Sequence, residues 1–342
     1  MIRAWTTEKT IRSNYSVKTI TGRFFSIFTL LVFAFAGQVR ADSTVLLDDS
    51  LRQLGLRESA LRKGDPAKSE RFTGNGVPDV YAEKNVPYLE IGGIRVFLSR
   101  TVDVYRDNLT ITGTDYQKVL VPLLWRSNSL PKGIRRIVID PGHGGKDNGK
   151  SSNRAEYTEK VATLDTAFRL KSLLEKRGFE IILTRKEDVF VELDDRPAIA
   201  NRAQADLFVS IHFNSSRPGD TTSSGIETYC LTPTGQLSTN KAKAKADVTA
   251  EPGNRLDYFN VQLAWSVHRQ LISNTGAEDR GIRRARFAVL RPLNCPGILI
   301  EGGFLSSKDE GAKIANPAYR QKLAEAIAAG ITDYNQRFRV GP

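Results

Sequence analysis

The 342-residue sequence predicts an α/β fold: a layered domain with a mostly parallel twisted sheet flanked by helices, preceded by a small β-rich domain. Three observations predict it. From residue 134 onward, apolar runs of strand length alternate with longer segments of helical periodicity, the pattern of a layered α/β domain. Between 87 and 125 the runs are short, alternate with period two and are joined by a glycine pair, as in β-hairpins. Two of the three histidines stand at the ends of predicted strands, where ligands of open α/β sheets bind.

Taken in order, residues 1–41 read as a signal peptide. Arg3, Lys9, Arg12, Lys18 and Arg23 precede an uncharged run from Phe24 to Ala36, and Ala41 is a small residue suited to cleavage before Asp42. The run is shorter than the roughly 20 residues of a spanning helix, so cleavage is favoured over a retained anchor. Membrane contact is then expected only before cleavage. Residues 42–85 are polar and broken by Gly and Pro; they read as a polar linker or partly ordered segment with a short helix over 50–63. Residues 86–130 read as a small β-rich accessory domain: PYLEIGGIRVFLSR is a hairpin turning at Gly92-Gly93, and DNLTITGTDYQKVLVPLLW continues as a strand and a short apolar helix.

The segment 134–338 carries the layered domain. Strands are predicted at 134–140, 180–184, 206–212, 225–231, near 287–290 and at 297–301. Helices are predicted at 158–177, 194–205, 260–274 and 317–338. In the first helix Val161, Leu164, Ala167, Phe168, Leu170 and Leu174 trace an apolar stripe, and Gly178 suits its C-terminus.

The chemistry-bearing residues fall at strand ends. The first strand delivers His143 into the turn Asp140-Pro141-Gly142-His143-Gly144-Gly145, the third ends in His212, and the last ends in Glu301-Gly302-Gly303. Two histidines and a carboxylate suffice for a catalytic zinc site, which takes three protein ligands and leaves a position for water. The carboxylate must come from an element facing both histidines. Glu159, at the start of the following helix, is placed for this; by spacing alone, so is Glu156. His268, inside QLAWSVHRQL, reads as a helix-surface residue and not as a fourth ligand.

Seven blocks in order resemble the zinc-dependent N-acetylmuramoyl-L-alanine amidases, the family of periplasmic cell-separation and sporulation amidases. They are IVIDPGHGGKDNG, TEKVATLDTAFRL, LTRKEDVFVELDDRPAIAN, ADLFVSIHFNS, GIETYCL, RGIRRARFAVLR and PGILIEGGFLSS. The resemblance covers about 134–338. It implies one Zn2+ held by His143, Glu159 and His212, with the Glu-Lys pair matched at Glu159-Lys160, and it implies Glu301 as the catalytic glutamate. The loop KDNGKSSNRAEYT between His143 and Glu159 departs from the family's shorter, glycine-richer pattern. The implied reaction is hydrolysis of the amide between N-acetylmuramic acid and the L-alanine of the peptidoglycan stem peptide. Further upstream, IGGIRVFLS…LVPLL resembles an accessory domain of some cell-wall hydrolases, also known from copper amine oxidases; wall or activator contact through 86–130 follows from that resemblance.

The net charge of +12 suits an anionic partner. With an export leader, that partner is a wall or membrane surface rather than nucleic acid, and the location is the periplasm or cell envelope. Cys230 and Cys295 are too few for a disulfide framework and read as separate thiols. Lys241, Lys243 and Lys245 read as a solvated loop, and 232–258 lacks the pattern of a helix that would plug the site. A monomer is expected. Two other readings compete: a cell-wall zinc carboxypeptidase, and a non-catalytic wall-binding protein. Loss of one terminal amino acid from a muropeptide would favour the first, and a metal-free inactive chain that sediments with wall the second.

Overall fold

In the computed structural model of the protein, residues 43–59, 69–125, 133–151, 157–240 and 248–339 are described. The expected leader at 1–41, Glu156 and the three lysines at 241–245 lie outside them.

The N-terminal portion begins earlier than its hairpin motif suggested. The 42–85 segment, expected as a linker or partly ordered, supplies strands β1 (Thr44–Leu46), β2 (Arg57–Glu58), β3 (Ser69–Thr73) and β4 (Val80–Glu83), with helix α1 (Leu47–Gln53). Its strand signal was diluted by exposed polar residues. In β3 only Glu70 and Phe72 are buried, and in β4 only Val80 and Ala82. The hairpin follows as β5 (Tyr88–Ile91) and β6 (Ile94–Phe97), in register Ile91↔Ile94 and Tyr88↔Phe97. Strands β7 (Asp103–Tyr105) and β8 (Asn108–Thr112) pair with β1 in a separate three-stranded sheet. A helical segment at 113–124 ends this part.

The second portion is built on β9 (Arg136–Pro141), α2 (Glu159–Glu175), β10 (Glu180–Leu183), α3 (Asp195–Arg202), β11 (Leu207–Asn214), β12 (Ile226–Leu231), α4 (Asp257–Thr275), β13 (Asp279–Ala285), β14 (Gly297–Phe304), α5 (Lys308–Ala315) and α6 (Pro317–Arg339). Strands β9, β11 and β14 are near-continuous apolar runs because both of their faces are buried. The spatial order is β10-β9-β11-β14-β12-β13-β6-β5-β4-β3-β2. The first four strands are parallel, β12 runs antiparallel to β14, and β13 runs parallel to β12. The β-rich portion therefore extends the same sheet, through Ile282↔Val96. The junction is reinforced by Arg95 N donating to Asp279 Oδ2 at 2.9 Å and by Trp265 Nε1 donating to the Ile91 carbonyl at 3.0 Å. The described residues, from 43 to 339, belong to one compact unit.

Four details differ from the sequence reading. The strand expected near 287–290 is β13, several residues earlier. Its RGIRRA core hides a strand behind arginines, one of which, Arg284, is buried and donates to the Lys118 carbonyl at 2.9 Å. On α2 the buried face is Glu159, Ala162, Thr163, Thr166, Ala167, Leu170 and Leu174, while Val161 and Phe168 of the expected stripe are exposed. Small residues seat that helix against the sheet, so large apolar ones are not needed there. His268 is fully buried, not on a surface: its ring bridges Thr228 Oγ1 at 2.8 Å and Asp279 Oδ1 at 2.9 Å. Helix α5 was not anticipated; Ser307 caps it, and Pro317 starts a new helix after Asn316. Among the described residues no helix is long and apolar enough to cross a membrane.

Candidate metal centre and catalytic cleft

The site begins with a buried anion. Asp140, fully buried at the end of β9, accepts from Thr184 Oγ1 (2.6 Å), Ser210 Oγ (2.8 Å) and Arg196 Nη1 (2.8 Å). A buried charge is tolerated when it is fully partnered in this way. Beyond it the chain turns sharply, and His143 sits at φ 62°, a left-handed conformation that costs a non-glycine residue about 1 kcal/mol or more. Two buried arginines hold the turn. Arg196 donates to the Pro141 and His143 carbonyls at 2.9 and 3.0 Å. Arg185 donates to the Pro141 and Gly142 carbonyls at 3.0 and 2.9 Å. Glycine is required at Gly142, where a Cβ would stand 2.2 Å from the His212 ring.

The turn, β11 and the N-terminus of α2 bring His143, Glu159 and His212 together, one ligand atom from each lying within 4.8 Å of the others. Glu159 Oε1 is 3.0 Å from His143 Nε2 and 3.0 Å from His212 Nδ1. The same oxygen accepts from Phe213 N at 3.0 Å, and Oε2 accepts from Lys150 N at 2.9 Å. Burial works to raise the Glu159 carboxyl, but hydrogen bonds and charge from the two imidazoles overcome it and hold the group below the usual carboxylate range. His143 is raised: burial opposes its charged form, while Glu159 and Asp147 outweigh burial. Asp147 Oδ2 lies 2.8 Å from His143 Nδ1. With the proton on Nδ1, the Nε2 lone pair is left for a cation. A Cβ at Gly149 would meet Glu159 Oε2 at 2.6 Å and His143 Cδ2 at 2.7 Å, so glycine is needed there as well.

Glu301 completes the cluster. It pairs with His212 across β11 and β14 and with Glu227 across β14 and β12. Directly paired residues share a sheet face, so His212, Glu301 and Glu227 form a row. Glu301 is half-buried, and its Oε2 is shut from solvent with no hydrogen-bond partner. Burial pushes its carboxyl well above the ordinary range, and the charges of Glu159 and Glu227 add to the effect. Two imidazole nitrogens, one carboxylate oxygen and a nearby orphaned carboxyl oxygen fit a divalent ion with open positions.

The four residues singled out in the sequence are thus neighbours. The sequence reading missed Asp147, Arg185, Arg196 and Glu227. Asp147 had a signal, a carboxylate four residues after His143; the arginines act from separate elements and had none. Cys230 and Cys295 are free and buried, and burial pushes the Cys295 thiol up to about 12.

Fold and site together define an α/β protein with a His-Glu-His group that fits a metal ion at the carboxyl edge of its sheet. The family model for N-acetylmuramoyl-L-alanine amidase matches residues 137–333, more than half of the sequence, and the chain belongs to that family. It is 32% identical over 218 residues to the N-acetylmuramoyl-L-alanine amidase AmiC of Escherichia coli O6:H1, covering 58% of this chain and 52% of that protein. It is 31% identical over 255 residues to AmiA of Escherichia coli K12, covering 66% of this chain and 87% of that one. The chain thus spans about half the length of AmiC and most of AmiA. Among solved structures, the N-acetylmuramoyl-L-alanine amidase from Clostridium difficile 630 matches with a TM-score of 0.50 and 34% identity, over 61% of this chain and all of that one. AmiC2 of Nostoc punctiforme matches with a TM-score of 0.50 and 34% identity, over 59% and 97%.

Proposed function

We propose that the protein hydrolyses the amide bond between N-acetylmuramic acid and L-alanine in peptidoglycan, with 134–338 as its catalytic portion. The observation that carries this reading is the His143–Glu159–His212 cluster beside an unpartnered Glu301, in a chain of this family. His143 Nε2, Glu159 Oε1 and His212 Nδ1 would hold zinc, the ion for which two imidazoles and a carboxylate are a common catalytic set. A zinc ion there supplies Lewis acidity toward the scissile carbonyl and acidifies water at neutral pH.

The chain's own groups do the rest. Asp147 fixes the His143 tautomer. Glu301 takes a proton from the attacking water and returns it to the amine nitrogen of L-alanine as the C–N bond breaks. The hydroxyl stays on the lactyl carbonyl carbon and the proton on the amine, so one water is consumed per bond.

Glu301→Gln is the direct test. Bound zinc, measured on the purified mature chain, should remain near one per chain, while release of stem peptide from purified wall falls by at least about a hundredfold. Normal release would overturn the assignment of Glu301; release of a single terminal amino acid in place of the whole stem would overturn the bond.

The same reading includes export. The leader at 1–41 and the cell-wall amidases among the relatives support an envelope location. An N-terminus at Asp42 on the chain recovered from the envelope, determined by mass spectrometry, is the expected outcome.

A further inference from the structure

The charged row that starts at His212 continues past Glu301. Glu227, next in the row, is 4% exposed and gathers three hydrogen-bond donors and a further cation. Tyr229 Oη and Asn214 Nδ2 donate to its Oε2 at 2.7 and 3.1 Å. Its Oε1 faces Arg280 Nε at 3.0 Å and Arg283 Nε at 3.3 Å. A register shift produces this. Between the pairs Ile226↔Asp279 and Thr228↔Ile282, two residues of β13 oppose Glu227 alone. The extra residue is a bulge, a device that re-aims side chains, and here it brings two arginines to one carboxylate oxygen.

That arrangement leaves cationic donors uncommitted. Both guanidinium groups approach Glu227 through Nε. Among the described residues, the remaining nitrogens make one long contact, Arg280 Nη1 to the Ser224 carbonyl at 3.5 Å. Arg283 uses Nε on the Arg280 carbonyl at 3.0 Å and lies over the Phe97 ring at 4.1 Å, and among the described residues neither of its η nitrogens makes a hydrogen bond. The side chains are 29% and 18% exposed, so a ligand can reach them. Two cations share one anion, and their planar forks match a carboxylate.

We propose that Arg280 and Arg283, set by Glu227 and lying over the Phe304 and Phe97 rings respectively, form a carboxylate-binding subsite for an acidic residue of the stem peptide beyond the scissile amide. The inference rests on the amidase reading for its substrate. Spacing supports it. Two strand intervals of about 4.8 Å separate the rows of Glu301 and Arg280. That span of roughly 10 Å is covered by two extended residues and an acidic side chain. The subsite is shared between the two portions of the sheet, since Phe97 comes from β6 and the arginines from β13. Glu227 is a positioning residue here, and the arginines are the binding groups.

The test uses the zinc-loaded mature chain and two soluble probes, N-acetylmuramoyl-L-alanyl-glutamate with free carboxylates and the same compound amidated. The wild-type chain is expected to cleave the acid with kcat/KM about tenfold or more above the amide, the difference lying in KM, as charge-assisted hydrogen bonds imply. In Arg283→Gln the acid-to-amide ratio should collapse toward one, and Arg283→Lys should restore part of it. A wild-type ratio near one, or a ratio that Arg283→Gln leaves untouched, overturns the subsite. Calorimetry of both probes on Glu301→Gln separates this from the function itself. If neither probe is cleaved by the wild-type chain, the amidase reading falls. A Kd difference of about tenfold that vanishes with Arg283→Gln still sustains the subsite, and equal Kd values reject it.

Discussion

At the scale of single residues, the site depends on groups that hold the candidate metal ligands in place. Asp140 and Arg196 are a buried ion pair at 2.8 Å, and Arg196 also holds the carbonyls on either side of Gly142. Removing one partner strands the other charge. Arg196→Met should therefore lower stability by about 3–5 kcal/mol in chemical denaturation and weaken metal binding through the loosened His143 turn. Unchanged stability would rule the pair out as a stabilising contact. Asp147 acts on the metal group through the His143 tautomer. Asp147→Asn is expected to weaken zinc binding by roughly 10–100-fold, read by competition with a chelator, with little change in melting temperature of the metal-free chain. An unaltered zinc affinity would sink that role.

At the scale of elements, the instructive case is the contact between α4 and β13. His268 is buried on the helix and reaches Asp279 at the start of the strand, which also accepts from Arg95 N and Gly281 N. Burial works to raise the Asp279 carboxyl, but His268 and the two backbone donors prevail and hold it below the ordinary value. A carboxyl depressed by folding contributes stability that is present above its unfolded pKa, near 4, and is lost as pH falls through the lower folded value. Asp279→Ala should cost roughly 3 kcal/mol at neutral pH, because it leaves buried donors unmatched. It should also flatten the acid dependence of stability below about pH 4. A melt series from pH 2 to pH 7 checks both; parallel curves for the two proteins would rule the pair out as an acid-sensitive contact.

At the scale of the whole molecule, one sheet runs from the metal group through β13 into the β-rich portion, and Trp265 of α4 donates to a carbonyl of β5. Elements tied by backbone pairing and by a shared helix unfold together. The mature chain should melt in one calorimetric transition, with equal calorimetric and van't Hoff enthalpies. A separate early transition would mean that the β-rich portion is an independent module. Legibility differed between the two portions. Past residue 134 the central strands β9, β11, β12 and β14 are buried on both faces and announce themselves as apolar runs, while β13 is masked by its arginines. Before residue 86 they are half-exposed, so their alternation is blurred by polar residues such as those of SERFT. The sequence determined the α/β class, the strand ends at His143, His212 and Glu301, and, through resemblance to a family, the preference for Glu159 over Glu156. Each is a local matter of residue type and period along the chain. Only the tertiary structure decided that both portions share one sheet, that Arg185 and Arg196 hold the strained turn, and that Glu227 gathers Arg280 and Arg283 beside Glu301. Those relations join residues far apart in sequence, and they are set by strand order, register and a bulge, none of which a linear pattern encodes.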